Sequence, residues 1–477
     1  MKWSSIAAEV RAMILGALIK EQNIAHCAAV CREWQAHIEK QTFHSLTLTV
    51  EDVPELKKIS PRSLAHIRHI WFCIKLLECH FPDGDSYETE EMMEYNRKTV
   101  QVGVESIFGA LLKRPIDGDL KLDLSVYSPS DSQHHLKYVR FEPAGFPNIS
   151  TISQELSRPS GPQPDSCRVG NSPVISIESV DQIFPDISFS DNDHFWARTQ
   201  VPCVTHLSLR RQTRRRWDPV AVSQLIARLP NLQNVCFETW REWSRWLQHC
   251  PDIRLERLFK SLISADLKRV SIFEDLNETY VSPGTAYISA SPDAQVIRTA
   301  NTRVIGALAK ASLTLEQFSA AFMVDADRFW DACRPDWTWR RLSSLSLTSR
   351  DLVPDASPKR INDLLHSAAQ AAKRMPKLQT MEMWNGSPGY ASVFRYRSVK
   401  ARRPSDITWR GSWELTLEVR VVKAWGTISV NDNIQVVNEM IPCSQFIRSH
   451  GDVIRVLQLE HPVACSAWIL QGAAPSC

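Results

Sequence analysis

Near the start of the chain, apolar side chains recur at helical spacing. Val10, Met13, Ile14, Ala17 and Leu18 fall at i, i+3, i+4, i+7 and i+8, which places them on one stripe of an α-helix. Glu9, Arg11 and Lys20 stay off that stripe, and Glu9 lies in the first turn, where exposed N–H groups favour a negative charge. A second stripe (Ile24, Cys27, Ala28, Cys31, Trp34 or Gln35, and Ile38) predicts another helix, with Asn23 as its N-cap. Two short helices bury little alone, so the pair must close on a third element or dock on another protein.

Beyond Leu48 the period shortens to the alternation of half-buried strands. Such segments are read at residues 67–74, 120–124, 204–209, 232–237, 267–273, 315–322, 342–347 and 378–383. Leu342-Ser343-Ser344-Leu345-Ser346-Leu347 has the form Leu-x-x-Leu-x-Leu, and the segments opening at Leu232 and Leu378 are close variants. Helix-like stretches at 219–228 and 361–374 each run into a proline, Pro230 and Pro376, two residues before a strand's first leucine. Two copies of one helix–proline–strand unit indicate a repeat. Strand segments beginning at 204, 232, 267, 315, 342 and 378 are 27 to 48 residues apart, longer and less regular than the ~20–29 of ordinary leucine-rich repeats. Each unit exposes apolar faces that only its neighbours cover, so stacking predicts an α/β solenoid with strands lining a concave side. Ser343, Ser344, Gln379 and Thr380 are expected to project from that side.

Two further segments, 413–422 and 453–459, alternate strictly and predict strands of a β-rich closing region over 386–477. Residues 154–166, rich in Pro and Ser, show no period and cannot form a core. Residues 125–200 are accordingly read as a mobile or disordered insertion between a first group of strand/helix units at 49–124 and a repeat body at 201–385.

The chain has 477 residues, 43% of them apolar and 23% charged, the balance of a folded protein of more than one core. Lys and Arg number 56 against 53 Asp and Glu, which gives no push toward nucleic acid or anionic lipid. No run approaches the ~18 apolar residues of a membrane span, and no signal-peptide layout is present. The expected compartment is therefore cytoplasmic, nuclear or both, with the twelve cysteines as thiols. Their spacings, such as Cys27 with Cys31 and Cys73 with Cys79, do not make the paired clusters of structural zinc, so no metal or cofactor is expected. No nucleophile elbow, His-Glu-x-x-His, phosphate loop or kinase signature is found, which predicts a non-catalytic protein.

The densest charge run, Arg210-Arg211-Gln212-Thr213-Arg214-Arg215-Arg216, directly follows the 204–209 strand. At one rim of a solenoid, Arg210 and Arg211 would be candidates to contact phosphate or an acidic target; the competing reading is a solvated loop or an import signal. Trp240, Trp243 and Trp246 share a helical face, for which core packing is the default.

One resemblance rests on specific residues. Ile6-Ala7-Ala8-Glu9-Val10, then Ile14-Leu15, then Val30-Cys31-Arg32-Glu33-Trp34 resembles the F-box pattern, in which Leu-Pro-x-Glu-Ile is followed by an Ile-Leu pair and Val-Cys-x-x-Trp. It covers about the first forty-five residues; the following Phe43-His44-Ser45-Leu46-Thr47-Leu48 is similar in style to F-box proteins of filamentous fungi. The sequence departs at Ala7, where proline usually pre-sets the first helical turn. The resemblance implies an F-box module at 1–48 that docks a Skp-type adaptor and, through it, a cullin-RING ubiquitin ligase. Ile6, Ile14, Leu15, Val30, Cys31 and Trp34 would supply the apolar anchors. The expected protein is then a substrate-recruiting adaptor for ubiquitin-dependent degradation, acting by proximity rather than chemistry. The alternative is a ligase-independent interaction scaffold in which the same helices only cap the repeat body.

Overall fold

The computed structural model describes residues 3, 6–18, 24–78, 88–116, 118–129, 168–169, 172–173, 184–189, 199–211, 213, 215–242, 245–275, 300–398, 405–428, 434–442, 446–448, 450–461 and 463–464. Asn23, Cys79, Gln212, Arg214, Trp243 and the 154–166 segment lie outside them, as does most of the 125–200 insertion.

Among the described residues twelve strands form one mixed, mostly parallel sheet, in which each of the twelve lies beside the one that precedes it in that set. They are β1 (Ser45–Thr49), β2 (His69–Lys75), β3 (Lys121–Tyr127), β4 (His206–Leu209), β5 (Asn234–Trp240) and β6 (Arg269–Asp275), then β7 (Gln317–Asp325), β8 (Ser344–Thr348), β9 (Thr380–Ser387), β10 (Tyr390–Arg397), β11 (Ser405–Gly411) and β12 (Ile434–Met440). Pairing is parallel from β1 to β9. The hairpin between β9 and β10 reverses direction at Pro388-Gly389, where Gly389 takes φ +91°, the left-handed conformation that proline–glycine turns place on glycine. β11 pairs antiparallel with β10 and parallel with β12.

Among the described residues twelve helices accompany these strands: α1 (Ala8–Leu18), α2 (Arg32–Thr42), α3 (Val53–Lys58), α4 (Pro61–Leu64), α5 (Glu90–Leu111), α6 (Pro219–Ile226), α7 (Arg245–Leu262), α8 (Thr302–Ala311), α9 (Ala326–Ala332), α10 (Pro358–Ala372), α11 (Val419–Gly426) and α12 (His450–Leu457). Local chemistry sets several starts. The Asp218 carboxylate accepts from Val220 N–H (2.8 Å) ahead of Pro219 at the first position of α6, and Asn301 caps α8 through Arg303 N–H (2.9 Å).

Register explains the leucine spacing. Leu46, Ile70, Leu122, Leu207, Val235 and Val270 stand in one cross-strand row, continued by Phe318, Leu345 and Met381. A second apolar row lies two residues on, and both pack against α5 to α11 in the main core. Successive strand residues point to opposite faces, so the intervening row (Asp123, Ser208, Cys236, Ser271, Ser319, Ser346, Glu382) occupies the face away from those helices. On that face α12 makes a second, smaller core with Phe273, Phe322, Trp384 and Val393.

Three expected elements differ. The second predicted helix is a 3-10 segment, Ile24–Ala29, followed by an extended step at Cys31 (φ −164°, ψ 171°) and then α2; Val30 and Cys31, where the break falls, are weak helix formers. Of residues 413–422, expected as a strand, 413–418 are irregular and 419–422 open α11, where Val421, Ala424 and Trp425 are buried at helical spacing. Residues 453–459, also expected as a strand, belong largely to α12, with Val453, Ile454, Val456 and Leu457 buried. Short apolar runs fit both periods, and packing against a sheet decides between them.

His206, at the start of β4, is held below its ordinary pKa chiefly by burial, with Lys121 and Arg269 adding to the effect against Asp119. One ring nitrogen bonds Thr205 Oγ1 (2.9 Å) and the other meets the Asn234 amide. The unfolded chain, with its ordinary value near 6.5, binds the proton first as pH falls. This residue's contribution is therefore intact above that value and lost as pH drops below it. Thermal melts between pH 7.5 and 5 should show a falling midpoint, with a shallower fall in His206→Gln; an unchanged slope would contradict the assignment.

Candidate functional site

The N-terminal helices leave several large apolar side chains exposed. α1 and α2 are tied by polar contacts at one end. Trp3 Nε1 and Arg11 Nε both donate to the Glu33 carboxylate at 2.9 Å, and Arg11 Nη1 donates to Ile6 O at 2.8 Å. These donors, Trp3 first and Arg11 next, hold the Glu33 carboxyl below its usual range. The Trp3 and Trp34 rings meet edge to face at 5.2 Å. Ser63 Oγ donates to Glu39 (3.2 Å), fixing α2 to α4.

The inward contact of α1 is made by Leu15, only 2% exposed, and that of α2 by Ile38. Neither belongs to the stripe predicted for α1. That stripe faces solvent instead: Met13 is 73% exposed, and Val10 and Ile14 are also open. Val30, 63% exposed, and Cys31 are also open at the break before α2. Ile6 and Trp34 are half-buried. Of the six anchors proposed from sequence, Ile14, Val30 and Cys31 are thus open, Ile6 and Trp34 partly open, and Leu15 sealed. Val10 and Met13 were not among them, although their stripe was legible. An apolar helix face left uncovered beside a polar clamp suits docking by another polypeptide.

The second cluster is the arginine run. Arg210 was expected at an open rim; it is buried, paired with Asp123 on β3, and stacks over Trp71 at 5.1 Å. Arg211 pairs with Asp275 and lies between the Trp240 and Phe273 rings at 4.8 and 4.9 Å. Burial pulls its guanidinium down to about 10, with Glu238 opposing, which still leaves it a cation at neutral pH. Arg215 pairs with Glu88 (2.6 Å), and Arg216 with Asp186 and Glu242 (2.5 Å each). A cation leaves water only with a partner, and here the chain supplies those partners. Arg210 and Arg211 therefore act as internal ties. Beside them a small cleft is lined by Asp186, Arg216, Trp217, Trp240, Gln248 and Arg254. No group of three or more His, Cys, Asp or Glu side chains able to hold a metal occurs among the described residues, and no described helix is long and apolar enough to cross a membrane.

The four residues expected to project from the concave side divide into two pairs. Ser344 and Thr380 do lie on the face away from the main helices, but both are buried. Thr380 Oγ1 donates to Glu460 (2.9 Å), from the segment after α12 that covers this face. Ser343 and Gln379 stand one residue before their strands; Ser343 Oγ donates to Glu316 O (3.0 Å) and Gln379 is exposed. No sequence signal indicated that α12 and the residues after it would occupy the strand face.

No curated protein matches this chain. Residues 262–465 match DUF6546, a family of unknown function. The match runs from the last residue of α7 to just beyond α12, so it takes in β6 to β12 and the second core but not the N-terminal helices or the arginine run.

Proposed function

We propose that the chain is a substrate-recruiting adaptor of an F-box-type ubiquitin ligase. In this reading residues 1–48 are an F-box module docking a Skp-type adaptor, and the sheet with its helices is a leucine-rich-repeat-like solenoid that holds a target protein. The observation that carries it is the exposed row Val10, Met13 and Ile14 on α1, with Val30 also exposed ahead of α2, in a segment whose order and motif spacing resemble the F-box. The in-order parallel pairing of β1 to β9, with two leucine-type rows facing the helices, supports the solenoid part. The mechanism is proximity: one end of the chain holds the ligase, the other the target, and ubiquitin transfer gains from the raised effective concentration.

The test is capture of a purified Skp-type adaptor by the full chain, expected at micromolar concentration or tighter, the range of a specific interface of about 800 Å² per partner. Absence of binding at ~100 µM adaptor would favour the scaffold alternative, in which the exposed stripe meets some other partner.

A further inference from the structure

On the face opposite the main helices, the C-terminal half of the sheet is covered by a strap made of α12 and the described residues up to Ala464. α12 seats Val453, Ile454 and Leu457 on Phe273, Phe322, Trp384 and Val393. The chain then turns at Gln458 (φ +51°) and passes back over the strands. Side chains from the sheet hold its backbone there. Arg395 Nη2 donates to the carbonyls of Leu457 (3.1 Å) and Gln458 (2.7 Å), Arg410 Nε to that of Val456 (3.0 Å), and Ser271 Oγ to that of Val463 (3.2 Å). The Glu382 carboxylate, itself paired with Arg395 (2.7 Å), accepts from Glu460 N–H (3.0 Å). The Glu460 carboxylate pairs with Arg397 and accepts from Thr380 Oγ1 (2.9 Å). Strand side chains that grip main-chain groups and one carboxylate do to this segment what a recognition surface does to an acidic peptide.

The cover fits imperfectly. Ser319 Oγ, Ser346 Oγ and Glu382 Oε2 stand in one row across β7, β8 and β9, buried, with no hydrogen-bond partner among the described residues, and Trp384 Nε1 is in the same condition. A buried polar atom left so is destabilising, and native cores seldom keep several together. Backbone strain collects at the same place: among the described residues the two non-glycine positions with positive φ are Phe322 (58°) and Gln458 (51°), one on each side of this contact.

We propose that this face of β6 to β10 is a peptide-recognition groove held closed in cis by the strap, and that its occupant in trans is a peptide bearing a carboxylate for Arg397 and Thr380. Calling that occupant a ligase target rests on the function proposed above; the groove itself does not. A tethered segment competes at high effective concentration, so the intact chain binds such peptides weakly and strap release exposes the groove.

The test uses the full chain and a fluorescein-labelled peptide of its own residues 455–464. Two variants loosen the strap by different routes: Glu460→Lys removes the carboxylate from Arg397 and Thr380, and Gly386→Ala sets a Cβ against the Val453 side chain. Each is expected to bind the peptide at least ~10-fold more tightly than the intact chain, and Arg397→Glu added to Gly386→Ala should abolish the gain. Equal affinity of intact and loosened folded chains, or a gain that survives Arg397→Glu, overturns the proposal. Should neither variant fold, hydrogen exchange of the intact chain decides. Amides of α12 exchanging at least ~10-fold faster than those of α10 support a displaceable strap, and equal rates overturn it. Adaptor capture is measured on the same samples: its loss with peptide binding retained counts against the ligase reading alone, and the reverse pattern against the groove alone.

Discussion

Replacing Arg210 with methionine is expected to cost about 3–5 kcal/mol of stability, the penalty for leaving a buried charge without its partner. The charge left behind is Asp123, fully buried on β3. Burial alone would raise its pKa, but the Arg210 charge, with His69 and Lys121 in support, more than offsets this and holds the carboxyl below its ordinary value. A depressed carboxylate contributes stability that is present above the unfolded pKa of ~3.9 and disappears as pH falls through the folded one. The loss in Arg210→Met should therefore be full at neutral pH and shrink below pH 4, where the wild type forfeits the pair as well. Asp123→Leu, which leaves Arg210 buried without its partner, should show a comparable neutral-pH loss. The double variant Arg210→Met, Asp123→Leu should recover a substantial part of it, because two apolar side chains avoid desolvating any charge. Urea melts of the four proteins form the cycle; a double variant as unstable as the sum of the singles would mean the pair is not the unit described.

The second large effect is expected on binding, without change in stability. Met13→Asp and Val30→Asp each put a charge in place of an exposed apolar side chain of the N-terminal segment, where neither supports the chain's own core. Together they should weaken adaptor capture by at least ~30-fold, the equivalent of one strong interface anchor of ~2 kcal/mol. The thermal midpoint should stay within about 1 °C, as for surface substitutions away from packed features. Leu15→Asp cannot serve this purpose, because Leu15 is sealed inside and its replacement would unfold the hairpin. Capture undiminished by Met13→Asp with Val30→Asp would move the docking surface elsewhere.

Much of the sheet was legible because it is built from short-range pattern. Leu342, Leu345 and Leu347 are buried as their spacing implies, and the strands around 232–237, 267–273, 342–347 and 378–383 form within two residues of the expected starts. The helices at Pro219 and Pro358 are equally local, set by proline at the first turn. What could not be read was long-range. The carboxylates that neutralise Arg210, Arg211 and Arg215 come from Asp123, Asp275 and Glu88, 64 or more residues away, so the run looked like a solvated loop. Ser344 and Thr380 carry the polarity of a strand's outer face, but the strap that buries them arrives about a hundred residues later. In α11 and α12 the apolar runs are too short to separate period 2 from 3.6. The helical stripe of α1 was visible, yet which face the protein would cover depended on Leu15 and on the Trp3, Arg11 and Glu33 clamp.

The central claim is that another polypeptide seats on the N-terminal hairpin. Hydrogen exchange of the full chain, with and without a saturating Skp-type adaptor, tests it most directly. Added protection confined to peptides from residues 6–42, with β2 to β11 unchanged, is the predicted footprint. Protection on the sheet instead, or no footprint at saturation, would contradict the account.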